Sequence, residues 1–284
     1  MATHADPSPA QPRPAPDPAL TEARRQSALA RTEAVRERFA HELGVRYGER
    51  PKQLMDLYRP ATGPSPAPVL VFLHGGGFRI GEPGPQGYHG LPVLEGGGLF
   101  VSMGYSLAPE VRFPDTCEDV ELGLRWLYEH VAERGGDPQR IYLSGHSAGA
   151  MLAAAVGLRA APAGLPADLV KGLVLISGMY DMGRELEQQP DIVNGESSRY
   201  VPNLVDAIDH LPDHTVVVVG EQDFPRARHD APVLVEALRA RGASVETYVE
   251  PGADHFEANR SFVAVGGTVA RATARMMGLV ETTA

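Results

Sequence analysis

The pentapeptide Gly145-His146-Ser147-Ala148-Gly149 restricts this chain more than any other feature. The segment before it, residues 140–144, reads as a strand, and the Ala-rich run that begins at Ala148 reads as a helix. A serine lifted onto so sharp a strand-to-helix turn forces the backbone two residues before and after it into close contact. Only glycine or another very small residue fits there, and Gly145, Gly149 and Ala148 meet the demand. In a chain with 31 glycines the spacing could arise by chance. The strand-to-helix setting argues against chance, because strand, turn and helix all agree with it.

The surrounding pattern extends that local reading to the whole chain. Continuous apolar runs recur at residues 69–73, 99–103, 141–143, 173–176 and 216–219, and a further strand is expected at 245–249. Runs of this kind belong to strands buried on both faces, as in a parallel sheet. Two shorter candidates, 45–47 and 54–58, closed by Pro60, predict an antiparallel start. Helical stretches fall at 119–134, 148–159, 231–241 and 261–277. Strand and helix alternate, which predicts an α/β fold: one mostly parallel, doubly wound sheet with helices on both faces.

Ahead of this domain, prolines at positions 7, 9, 12, 14, 16 and 18 make residues 1–19 an expected disordered tail. Residues 21–43 predict an amphipathic helix with Leu29, Val35, Phe39 and Leu43 as a partial apolar stripe. Residues 20–284 are expected to form one domain, with 182–214 as a small cap-like insertion. This helix and this insertion are the segments long enough to roof a site at the sheet edge, and deletion of 1–43 is expected to alter substrate preference.

A serine hydroxyl is a weak nucleophile near neutral pH and needs a base, which an acid in turn orients. On a strand–turn–helix elbow the partners follow in the order serine, acid, histidine. Asp223 follows the apolar run 215–219, and His255 lies just after the last expected strand. Glu221 is the rival acid. His229 is the rival base, but it sits six residues from Asp223 at the start of a helix. His41, His130, His210 and His214 read as surface or packing residues. His74-Gly75-Gly76-Gly77-Phe78 ends the first long buried strand, and its glycines leave N–H groups bare. Gly76, Gly77 and Ala148 are therefore the expected oxyanion donors, the last at a helix N-terminus. His74 is expected to organise that loop, although a flexible glycine turn is the plainer explanation of the motif standing alone.

These residues, with Tyr105-Ser106-Leu107-Ala108-Pro109-Glu110, Phe113-Pro114 and Glu118-Asp119, resemble the hormone-sensitive-lipase-like (bacterial family IV) esterases from about Leu54 to the C-terminus. The resemblance implies the α/β-hydrolase fold and hydrolysis of carboxylic esters with short acyl chains. The chain departs from larger members in its short leading region and in Phe78, where many have tryptophan. Asp254-His255-Phe256 and Gly178-Met179-Tyr180-Asp181 look closer to arylformamidase-like and feruloyl-esterase-like members, so aryl amides are an alternative substrate. Phe78, Tyr180 and Phe256 are the expected substrate contacts, and Tyr88 and Tyr200 also bear on specificity.

A net charge of −10 repels phosphate backbones and anionic membranes, so nucleic acid is not an expected partner. The partner implied is a small-molecule ester or aryl amide. No cofactor or metal is expected, and the sequence is silent on oligomeric state. Cys117 cannot form an intramolecular disulfide and reads as a structural thiol. Residues 1–10 lack a basic stretch followed by an apolar run, and no window is long enough to span a bilayer, so a cytoplasmic enzyme is expected. A catalytically inactive binding module, or a lyase or acyltransferase on the same scaffold, are the competing classes.

Overall fold

The computed structural model describes residues 17–181, 190–193 and 204–282. Within them eight strands form one sheet: β1 (His41–Arg46), β2 (Leu54–Tyr58), β3 (Ala67–Leu73), β4 (Leu99–Met103), β5 (Gly136–His146), β6 (Val170–Ile176), β7 (His214–Gly220) and β8 (Val245–Glu250). The order across the sheet is β1-β2-β4-β3-β5-β6-β7-β8. β2 runs antiparallel to both β1 and β4, and every later pairing is parallel. The longer helices are α1 (Pro18–Arg36), α2 (Phe113–His130), α3 (Ala148–Gly157), α4 (Pro225–Ala240) and α5 (Thr268–Met277).

Side chains alternate across a strand, and here the alternation sorts two apolar clusters. Val69, Val71 and Leu73 join residues of α2, α3 and α4 on one face. Leu70 and Phe72 join Val35 of α1 and Val269 and Met277 of α5 on the other. Each large apolar side chain taken fully out of water contributes about 1.5–3 kcal/mol, and every residue of β3 and β4 is buried. Every residue of α3 is buried as well, which explains its run of alanines: larger residues would not fit between sheet and neighbouring helices.

Several boundaries differ from the sequence expectation. The first helix is Pro18–Arg36 rather than 21–43; Asp17 caps it by accepting from the Ala19 N–H at 2.9 Å. It therefore starts inside the segment expected to be a tail, whose residues 1–16 lie outside the described ones. Phe39 follows the helix into the core, while Leu43 lies half-exposed on β1. A bulge between Glu42 and Val45, with Gly44 at φ 63°, shifts the alternation of β1 and mimics a helical stripe. α2 begins at Phe113 rather than 119, where the Asp115 carboxylate accepts from the Arg112 N–H at 3.0 Å. α4 begins at Pro225 rather than 231 and carries Pro232 within it. The stretch 261–277 is two pieces, a turn at Arg260–Val263 and α5, because Gly266 (φ 74°) and Gly267 form a break. Most of the expected cap, 182–214, lies outside the described residues; Pro190–Val193 forms a helical turn.

Candidate active site

Strand ends at the C-terminal edge of the sheet bring the chemistry together, as open α/β sheets do generally. β5 delivers Ser147 onto a turn with φ 56° and ψ −120°, conformations a non-glycine residue adopts only when its surroundings impose them. Those surroundings are steric. A Cβ on Gly145 would lie 2.3 Å from the Gly149 carbonyl carbon, and one on Gly149 would lie 2.0 Å from the Leu73 oxygen. The Ser147 N–H donates to the Ile176 carbonyl at 2.8 Å, tying the turn to β6.

His255, in the loop after β8, is 4% exposed. Its Nε2 lies 2.8 Å from Ser147 Oγ and its Nδ1 lies 2.7 Å from Asp223 Oδ1. Asp223, buried after β7, also accepts from the Gly220 N–H at 3.1 Å, the Phe224 N–H at 2.7 Å and the Ser177 hydroxyl. Burial works against ionisation of this carboxyl. The His255 hydrogen bond and charge, with Ser177 and Gly220, outweigh burial and hold it below the usual carboxylate range. Phe224 stacks on the His255 ring at 4.1 Å, and Phe256 meets it edge-on at 5.4 Å.

The glycine loop after β3 lies directly against the nucleophile: a Cβ on Gly75 would be 3.3 Å from the Ser147 Cβ. Gly76 (φ 124°) and Gly77 (φ 61°) adopt backbone conformations suited to glycine. Their N–H groups find no acceptor among the described residues. Ala148 opens α3, so its N–H has no preceding turn to bond. His74 stacks on Tyr105 at 4.2 Å, with Nδ1 2.7 Å from the Gly75 oxygen, and burial pushes it down to about 4. It is a neutral brace for this loop.

The other residues singled out in the sequence fall in different places. Glu221 is exposed, and its carboxylate accepts from the Gly252 N–H at 2.7 Å, away from His255. His229 pairs with its neighbour Asp230 at 3.0 Å on α4. Phe78 packs edge-on against Phe113 at 5.4 Å in the core and is 4% exposed. Tyr180 is 1% exposed, its ring packed close against Gly178. Phe256 is 47% exposed, with the Arg24 guanidinium 3.7 Å over its ring. Tyr88 lies beneath α1, with Arg31 4.0 Å over it, and Tyr200 lies outside the described residues. His41 lies against the Phe39 oxygen and the Tyr58 ring, His130 packs on Trp126, His210 meets the Val170 oxygen and His214 meets Ser244 and Glu246, and Cys117 is buried.

Two supporting residues escaped the sequence reading. Ser177, at φ 55° beyond β6, donates to Asp223, and Asp230 accepts from the Tyr180 N–H at 2.9 Å and the Asp181 N–H at 3.2 Å. A polar residue at the C-terminal end of a buried strand was the available signal for Ser177. Among the described residues no group of three or more His, Cys, Asp or Glu is disposed to hold a metal ion, and no helix is long and apolar enough to cross a membrane.

The Ser147–His255–Asp223 arrangement can accept a serine proton and stabilise the resulting imidazolium. Comparison with known proteins bears on the family and on ester hydrolysis. A family model described as the alpha/beta hydrolase fold matches residues 70–211. Two proteins of Mycobacterium tuberculosis, esterase LipC and carboxylesterase NlhH, are each 31% identical to this chain, over 77% and 79% of it. The matched region spans 60% of LipC and 76% of NlhH. Kynurenine formamidase of Salmo salar is 26% identical over 83% of this chain and 82% of its own length. With the sheet order, the elbow and these relatives together, the chain belongs to the α/β-hydrolase family, in its hormone-sensitive-lipase-like branch.

Proposed function

We propose that the protein hydrolyses carboxylic esters of small acyl or aryl groups through an acyl-enzyme, with Ser147 as nucleophile, His255 as base and Asp223 as orienting acid. The observation that carries this reading is the unbroken buried chain from Asp223 Oδ1 to His255 Nδ1 at 2.7 Å and from His255 Nε2 to Ser147 Oγ at 2.8 Å. Ser147 Oγ attacks the ester carbonyl while its proton passes to His255 Nε2. The oxyanion accepts from Gly76, Gly77 and Ala148, donors already fixed in place before charge develops. Collapse expels the alcohol, which takes the proton from His255, and water activated by the same ring releases the acid. Asp223 stays ionised throughout, since its partners favour the charged form.

Phe256, exposed beside His255, is the best placed of the proposed substrate contacts; Phe78 and Tyr180 are buried and would act on a substrate only through their neighbours. A soluble substrate in a cytoplasmic setting fits the reading. The test is pre-steady-state release of p-nitrophenol from p-nitrophenyl acetate. An acyl-enzyme predicts a burst equal to the enzyme concentration when deacylation is slower, and p-nitrophenyl esters of rising chain length should show falling kcat/KM. Total absence of ester turnover overturns the proposal. A second reading, aryl formamide hydrolysis, is supported by the similarity to a kynurenine formamidase over 82% of that protein. A higher kcat/KM for an aryl formamide than for any ester in the panel would favour it.

A further inference from the structure

We propose that His146, the residue before the nucleophile, is a positioning residue whose ring holds the His255 loop at its working distance from Ser147. The inference rests on the serine-hydrolase reading above. It starts from strand alternation: Tyr142, Ser144 and His146 share one face of β5, and Tyr142 packs in the cluster beneath α1 and α5. From the last position of the strand the His146 ring therefore emerges on that side of the turn. There its Nε2 lies 2.7 Å from the main-chain oxygen of His255, and the two rings are 5.0 Å apart. Its Nδ1 edge faces the oxyanion loop, where a Cβ on Gly75 would lie 3.2 Å away. One side chain thus touches the base loop and the oxyanion loop while bonded to the serine's own residue.

The His255 carbonyl can only accept, so His146 must carry its proton on Nε2. Burial pushes His146 down to about 4; neighbouring His255 acts in the same direction, and the bond to its carbonyl opposes them. The titratable groups around it are His255, Asp223 and Asp254 above and the buried His89 below. A neutral donor suits this position, since a cation there would oppose the imidazolium that forms on His255.

The remaining contacts of His255 leave a gap that this bond fills. Stacking on Phe224 fixes the tilt of the ring but lets it slide in its own plane. Asp223 fixes one end of the ring. The bond from the Gln222 N–H to the Ala253 oxygen, 2.9 Å, ties the loop on the acid side only. His146 supplies the tie on the nucleophile side.

The experiment compares His146→Gln, which keeps an N–H donor at similar reach, with His146→Met, which has similar bulk and no donor. Displacement of reacting groups by about 1 Å can cost about 100-fold in rate. His146→Met should lose about 10- to 100-fold in kcat with KM within about threefold, and its rate of Ser147 phosphonylation should fall in parallel. His146→Gln should recover both to within about threefold of wild type. A Met variant with wild-type kcat, or a folded Gln variant as impaired as Met, overturns the inference. Should the Met variant not fold, the Gln variant decides alone: a loss beyond about tenfold counts against the proposal. Failure of the serine-hydrolase reading looks different, since wild type itself would then neither turn over esters nor take up the phosphonate.

Discussion

Around Ser147, backbone atoms leave almost no freedom, whereas the N-terminal half of α1 rests on the same active-site edge through the polar side chains of Arg24 and Arg25. At the elbow, Gly145 and Gly149 admit no Cβ, the Ser147 N–H is tied to β6, and every residue of α3 is buried. On α1 the buried positions, Thr32 and Val35, lie near its C-terminal end. Its earlier turns are held by Arg24 against Phe256 and Asp254 and by Arg25 against Glu82. Exposed ion pairs of this kind contribute little to stability. On the proposed function the difference separates two tasks: the proposed reacting groups sit where packing over-determines geometry, and α1, which reaches Phe256 beside His255, sits where contacts exchange easily.

The largest effect should come from the rigid half. Asp223→Asn keeps the shape but can set an N–H donor against His255 Nδ1, which puts the ring proton on Nε2 where it cannot accept from Ser147, and should lower kcat by about 10⁴-fold in ester assays. Glu221→Gln should stay within about twofold of wild type, because among the described residues the Glu221 carboxylate bonds the Gly252 N–H and not His255. The opposite ranking would mean the acid is wrongly assigned. Next is Gly149→Ala. Its new methyl meets the Leu73 oxygen, so equilibrium unfolding should show a loss of about 3–5 kcal/mol. A change below about 1 kcal/mol would show that the elbow relaxes more easily than its contacts imply.

Much of the rigid half was legible in the sequence, because glycine spacing and continuous apolar runs are direct consequences of close backbone approach and two-sided burial. Ser147, His255, Asp223 and the glycine loop were all named from such signals, and the structure brings them within hydrogen-bond reach or contact of one another. The soft half was less legible. The bulge in β1 made Leu43 look like part of a helical stripe. The expected helix 231–241 missed the first turns of α4, which Pro225 opens at a position where a missing N–H costs nothing. Ser177 and His146 act on the loops through single hydrogen bonds, which leave no periodic trace.

A smaller effect links the site to pH. His74 and His146 are both pushed down to about 4, and burial also lowers His89 well below the usual value. The unfolded chain takes up protons at the His74 and His146 rings below about pH 6.5, whereas the folded chain does not until about 4. Stability should therefore fall as pH drops through that window, by on the order of 3 kcal/mol at most for each of His74 and His146, with His89 acting in the same direction. Melting curves from pH 7 to 4 check this, and the fall should be shallower in His146→Gln. Equal slopes would mean that His146 is not buried neutral.

The smallest effect belongs to α1. Arg24→Ala removes the contacts with Phe256 and Asp254 while leaving Thr32 and Val35 in place. KM or acyl-chain preference should shift severalfold, with the melting temperature nearly unchanged and the burst amplitude intact. A large drop in kcat with no change in specificity would instead make α1 part of the rigid machinery and erase the division drawn above.

The most direct measurement is intact-mass and peptide mapping after reaction with a serine-directed alkyl phosphonate. One adduct per chain is expected, on Ser147, and none on folded Ser147→Ala, which should also lose ester turnover. An adduct on any other residue, or undiminished turnover by Ser147→Ala, would contradict the assignment of Ser147 as the nucleophile.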